Sequence, residues 1–140
     1  MPDDLMTLRV RVVSSRVPGS SLQTELQQAL VARAGVTLAV DDNGSAPTLN
    51  IYSEQSDSRA VSVDVDVKVS EFLLRYQVIF GVTDAAGKEL VDRQTITLQR
   101  PFTFDKLNVL AKEREEQELR NQMRQEVVQA IIRRLASGAS

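Results

Sequence analysis

Valine occupies every odd position from 61 to 69, and Ser62, Asp64, Asp66 and Lys68 fill the even ones. A period of two predicts a strand with one polar face along its whole length. In the next segment Phe72, Leu74, Tyr76, Val78, Phe80 and Val82 share one face, and Leu73, Arg75, Gln77, Ile79 and Gly81 share the other, so the first face is predicted core. Asp84-Ala85-Ala86-Gly87-Lys88 reads as a hairpin loop with glycine at the left-handed position. Residues 90–99 then return as a strand, with Ile96 and Leu98 inward and Arg93, Thr95 and Thr97 outward. The three strands form an antiparallel meander.

Towards the N-terminus, Leu8, Val10 and Val12 alternate with Arg9 and Arg11, which predicts a first strand over residues 5–13. Val17-Pro18-Gly19-Ser20-Ser21 ends it, and Ser20 with Gln23 predicts a capping box before Leu22, Leu26, Ala29 and Leu30 at helical spacing. Gly35 is placed to close that helix in a left-handed conformation. A short strand over residues 36–40, a turn at Asp41-Asp42-Asn43-Gly44 and a further β element from Thr48 follow.

The last helix is predicted over residues 108–136. Leu119, Met123, Val127, Ile131 and Leu135 recur every fourth position, widened by Val128 and Ile132. Extended backwards, this stripe meets Glu115 and then only the small Ala111, and residues 112–118 are all polar. Those turns are therefore expected to project past the core as a solvated helix end. The elements together predict an α+β two-layer sandwich, with two helices on one face of a mostly antiparallel sheet of four or five strands. Arg9, Arg11, Asp64, Asp66, Lys68, Arg75, Gln77 and Arg93 are left on the other face, towards solvent or a partner.

No internal repeat or long linker divides the 140 residues, which are enough for one domain with its own core. Seventeen basic against nineteen acidic side chains leave no global field to hold nucleic acid or an anionic membrane, so any anion site must be local. Cysteine and histidine are absent, which excludes disulfides, thiol catalysis, Cys/His zinc sites and nucleophiles that rely on imidazole. No segment of ~20 apolar residues is present to span a bilayer.

Three clusters invite a chemical reading. Asp64 and Asp66 lie ~7 Å apart on one strand face, a spacing that paired-acid hydrolysis can use, but no base or nucleophile accompanies them and a solvated face explains them. Glu113, Glu115, Glu116 and Glu118 resemble a metal cluster until the spacing is followed. They spread around the helix, and Lys112 with Glu116, Arg114 with Glu118, and Glu116 with Arg120 are i,i+4 ion pairs. Arg9, Arg11, Lys68, Arg75 and Arg93 either form a phosphate-binding stripe on the open face or are ordinary surface charge diluted by acids. Aromatics make up only 4% of the chain, so base stacking has no platform and nucleic acid is not the expected partner. Phe102 and Phe104 are read as core residues, with one exposed as the alternative.

Phe102-Thr103-Phe104-Asp105, Val109-Leu110-Ala111-Lys112 and Glu115-Glu116-Gln117 lead into a helix ending Ile131-Ile132-Arg133-Arg134-Leu135. This order resembles the C-terminal half of the LPS-assembly lipoprotein, the LptE family. Tyr76-Gln77, Pro47-Thr48-Leu49 and Leu26-Ala29-Leu30 extend the resemblance over nearly the whole chain. It implies a non-enzymatic, cofactor-free subunit of the outer-membrane lipopolysaccharide translocon, seated as a plug in a β-barrel partner (LptD-like) and binding lipopolysaccharide. Family members begin with a signal peptide and a lipidated cysteine. The chain therefore resembles a soluble, trimmed domain of a protein lipid-anchored on the periplasmic side of the outer membrane. Lys112 and Lys68 resemble positions where the family carries basic residues and are expected to contact lipopolysaccharide, with Arg75 and Lys106 behind them. The alternative expectation is a protein-binding auxiliary lipoprotein of another cell-envelope transport machine.

Overall fold

The computed structural model describes residues 1–39, 44–62, 69–105 and 109–137. A single 3-10 turn, Asp3–Leu5, buries Leu5 and leads into β1 (Thr7–Val12). The chain continues through α1 (Leu22–Ala34), β2 (Thr37–Leu38), β3 (Thr48–Ser62), β4 (Val69–Thr83), β5 (Glu89–Asp105) and α2 (Val109–Ala136). The sheet order is β2-β1-β3-β4-β5, with both helices on one face, which is the predicted α+β two-layer arrangement. One detail differs from a mostly antiparallel sheet. β1 pairs in parallel with both β2 and β3, while the two long interfaces, β3 with β4 and β4 with β5, are antiparallel. For β2 the cause is α1, since a strand that returns beside its predecessor after a crossover helix runs parallel to it; β3 then enters on the other side of β1 in the same direction.

Strand boundaries also differ. The predicted strand over 61–69 is divided between the end of β3 and the start of β4, and Asp64, Asp66 and Lys68 lie outside the described residues. The meander is thus made of β3, β4 and β5, longer than predicted. Most of the turn at 41–44 and the end of the strand over 36–40 also lie outside the described residues. The hairpin between β4 and β5 forms as read. Gly87 has φ +87°, and the Asp84 carboxylate accepts the Ala86 and Lys88 amides at 2.9 Å each. Gly35 likewise closes α1 at φ +67°.

The core face is the one the alternation foretold. Leu8, Val10, Leu49, Ile51, Leu74, Tyr76, Val78, Phe80, Val82, Val91 and Ile96 are buried from the sheet, against Leu22, Leu26 and Leu30 of α1 and Met123, Val127, Val128, Ile131 and Leu135 of α2. Leu98 packs against this core half-buried, Phe102 is inside it, and the Phe104 side chain lies outside the described residues. On the opposite face Gly81 is buried, because the Tyr52 ring lies over it and Arg93 stacks 3.7 Å from that ring's centroid. A Cβ at Gly81 would meet Val91 O at 3.2 Å and Tyr52 Cε2 at 3.3 Å, so a larger residue would push the ring or the strand by a few tenths of an ångström.

Two sequence readings of the helices are corrected. No capping box forms at Ser20 and Gln23: α1 begins one residue later behind Ser21, Ser20 Oγ accepts the Leu22 amide at 3.2 Å while donating to Glu54 of β3, and Gln23 donates to Val10 O. Nor does the start of α2 project past the sheet. A 28-residue helix is ~42 Å long and a 15-residue strand ~50 Å, so the long strands run on beneath it. Ala111, Lys112 and Glu116 form a half-buried edge against the sheet, while Glu113, Arg114, Glu115, Gln117 and Glu118 remain exposed.

Candidate functional site

The site grows out of a break in the β3 register. Leu49 and Ile51 face the helices, but the pairing with β4 shifts between Ile51 and Ser53, where Tyr52 is the extra residue of a β-bulge. Beyond the bulge the parity inverts and Glu54 points inward at 1% exposure. A buried charge requires partners. Glu54 accepts hydrogen bonds from the hydroxyls of Ser15 at 2.7 Å, Ser20 at 2.8 Å and Tyr76 at 2.6 Å. Its backbone takes part too: Arg16 N donates to Glu54 O, and Glu54 N donates to Ser14 O. One carboxylate thereby ties the connection between β1 and α1 to the centre of the sheet. Burial pushes the Tyr76 phenol far above its ordinary range, and its hydrogen bond to Glu54 and the charge there push it in the same direction.

Above Glu54 and Tyr76 opens a cleft of about 400 Å³, within the range of ligand-binding cavities. One wall is the connection after β1, with Arg16, Val17, Pro18, Gly19 and the two serines that follow. The other is α2, which presents Gln117, Arg120, Asn121 and Arg124 at i, i+3, i+4 and i+7, one helical face beside the apolar stripe. These side chains are partly organised among themselves. Asn121 Oδ1 accepts from Gln117 Nε2 and from Arg124 Nη2, each at 3.0 Å. Arg124 also pairs with Glu25 of α1, whose other contact is the Ser21 hydroxyl at 2.5 Å. Arg120 is less well served: its Nη2 reaches Glu116 only at 3.5 Å, and its buried Nε has no acceptor.

The residues expected to bind lipopolysaccharide are distributed differently. Lys112 lies on the helix layer, 5.6 Å from the Phe72 ring centroid and 4.0 Å from Glu116. Arg75 is on the opposite face of the sheet, opposite Asp57 and Gln99 in register, with Nη2 3.4 Å from Gln77. The sheet thus separates them. Lys68 and Lys106 lie outside the described residues, although their neighbours Val69 and Asp105 pair at the far end of β4 and β5. Of the three i,i+4 ion pairs on α2, Lys112–Glu116 and Glu116–Arg120 form. Among the described residues Arg114 and Glu118 form no ion pair, and no acidic cluster is able to hold a metal. Glu54 and the α2 cleft face escaped the sequence reading. The Gln117/Arg120/Asn121/Arg124 spacing was a usable signal, but the bulge that buries Glu54 left none.

No described helix is long and apolar enough to cross a membrane. Among solved structures the chain is similar to a minor lipoprotein from Acinetobacter baumannii (TM-score 0.77, 23% identity, covering 95% of this chain and 92% of that one). It is also similar to the rare lipoprotein B from Shewanella oneidensis (0.71, 24%, 92% and 94%) and to an uncharacterized lipoprotein B from Nitrosomonas europaea (0.73, 25%, 96% and 88%). No curated protein matches the chain. The model of the LptE family, described as lipopolysaccharide-assembly, matches residues 5–135, so almost every element described above falls within it and the chain belongs to the LptE family.

Proposed function

We propose that this chain is a non-enzymatic, lipopolysaccharide-binding subunit of an outer-membrane translocon, seated in a β-barrel partner of the LptD kind. Membership of a lipopolysaccharide-assembly family supports the process. The observation that carries the mode of action is the contrast between the two sheet faces. One is closed by both helices, while the other presents Arg75, Gln77, Arg93, Thr95 and Thr97. A folded domain surrounded by a polar barrel lumen needs that combination: a core completed without the partner, and a wide polar face for hydrogen bonding to it. The polar face leaves the barrel to supply the apolar band that meets lipid. Attachment to the periplasmic side of the outer membrane is assigned to a lipid anchor.

For the ligand, Lys112 and Lys68 are assigned to the anionic head groups, with Arg75 and Lys106 supporting them. Charge-assisted hydrogen bonds to phosphate are strong enough for a few cations to matter in a chain whose net charge is only −2. The test is lipopolysaccharide binding by the wild type and by the double charge reversal Lys68→Glu/Lys112→Glu. Affinity should fall ~10-fold or more, and less so as salt is raised. Unchanged binding sinks the residue assignment, and failure to recover a large β-barrel protein on pull-down from envelope membranes sinks the partner.

A further inference from the structure

The cleft between the connection after β1 and the middle of α2 takes no part in that assignment, and its lining is specific in kind. We infer that it is a subsite for an acidic saccharide, a sugar unit bearing a carboxylate or phosphate; as a statement about lipopolysaccharide this rests on the reading above. Glu54 is sealed beneath the floor, its carboxylate surrounded by three hydroxyls, so the accessible charges are Arg16, Arg120 and Arg124. Arg124 is engaged by Glu25, which leaves Arg120 and the exposed Arg16 as the anion-binding groups.

Arg120 is incompletely satisfied. Its Nε is a buried donor with no acceptor, and its Nη2 has only a long contact to Glu116, on a side chain 34% exposed that lines the cavity. Nε and Nη2 together form the guanidinium edge that takes a carboxylate or phosphate in two parallel hydrogen bonds. An entering anion supplies the acceptor that Arg120 Nε lacks in the folded chain, and such completion favours the acid over a neutral analogue. Around this edge stand the amides of Gln117 and Asn121 and the hydroxyl of Ser56, which can donate and accept at once, as sugar hydroxyls require, and Ser21 Oγ, whose proton is held by Glu25, as an acceptor. Val17 and Pro18 supply an apolar wall for a ring face. The volume of about 400 Å³ has room for a sugar unit with its acidic substituent.

The test is NMR titration of the whole chain, following the side-chain amides of Gln117 and Asn121. The probes are glucuronate, glucose 1-phosphate, neutral glucose and inorganic phosphate, with lipopolysaccharide binding measured in parallel. The two acidic sugars should shift both amides saturably, and glucose should not. Arg120→Gln should weaken the acidic sugars ~10-fold or more while leaving the spectrum folded. Asn121→Ala provides a second variant that does not alter charge and should weaken the acidic sugars by a smaller factor. Phosphate acting as strongly as glucose 1-phosphate overturns the saccharide part, and acidic sugars that shift neither amide overturn the site.

Lipopolysaccharide binding separates this inference from the reading it rests on. If the wild type and Arg120→Gln bind lipopolysaccharide equally while Lys68→Glu/Lys112→Glu does not, the cleft is wrong and the proposed function stands. If acidic sugars bind in the cleft but lipopolysaccharide does not bind at all, the ligand half of the proposed function is wrong and the cleft stands as a saccharide site in its own right.

Discussion

The sheet and α2 face each other along one continuous interface, yet its two ends have different interiors. At the end shared with α1, five strands meet two helices over Phe80, Leu26, Val127 and Ile131, all fully buried and apolar. Towards the other end β1 and α1 fall away, three strands meet α2 alone, and inward-facing positions carry Glu54, Tyr76, Arg120, Glu116 and Lys112. Leu74, Phe102 and Met123 still bury apolar surface nearby, so the second end is a polar network set into a thinner core. Apolar burial tolerates no vacancy, whereas a hydrogen-bonded network stands or falls with its central acceptor. The first end should set the stability of the molecule and the second should set the order of its loops.

The largest effect that bears on this contrast is a cavity at the first end. Phe80→Ala removes a fully buried ring and should cost ~3–5 kcal/mol in urea unfolding. Glu54→Ala should cost less, ~1–3 kcal/mol, because it leaves the Tyr76 hydroxyl buried without its acceptor. It should also speed amide exchange over residues 14–21 more than in Leu26 or Ile131, and uniform acceleration would show that the two ends are a single cooperative unit.

Tyr76→Phe should cost ~1 kcal/mol near neutral pH, and it adds a pH signature. A phenol whose ionisation is pushed up by folding contributes equally below the unfolded value of ~10, where both states are protonated. Above that value the unfolded chain loses the proton first, so stability falls as pH rises. Thermal unfolding between pH 8 and 11 should therefore show a decline that is shallower in Tyr76→Phe; identical slopes would mean that the phenol is not held protonated by the fold. The smallest effect belongs to the Lys112–Glu116 pair. Lys112→Ala should cost less than ~1 kcal/mol at low salt, since it removes a partly exposed i,i+4 pair at 4.0 Å and a contact 5.6 Å from the Phe72 ring centroid. A large loss there would place Lys112 among the structural residues and weaken its assignment to ligand binding.

How much was legible follows the same division. In β4 the inward face from Leu74 to Val82 was readable because nothing interrupts the period of two, and the stripe from Leu119 to Leu135 was readable for the corresponding helical reason. Gly35 and Gly87 were readable because positive φ is a local demand. The box of Ser20 with Gln23 was misread because both side chains also reach distant partners: the Ser20 hydroxyl accepts the Leu22 amide locally but donates to the Glu54 carboxylate, 34 positions away in the chain, and the Gln23 amide donates to Val10 O. Lys112 and Arg75 looked like members of one site by residue type, but Lys112 belongs to α2 on the helix layer, while strand parity in β4 turns Arg75 to the open face.

By itself the sequence determined the two helices, the buried faces of β1 and β4 and the family resemblance, since each rests on spacings within a single element. Tertiary structure alone decided where the polar residues converge. A bulge of one residue at Tyr52 inverts the facing of everything after it in β3, and so carries Glu54 from the open face to the interior. The length of the meander then decides that α2 lies along the sheet to its first turns, bringing Arg120 and Asn121 over that carboxylate. Neither event leaves a periodic trace, because both depend on pairing between segments distant in the chain.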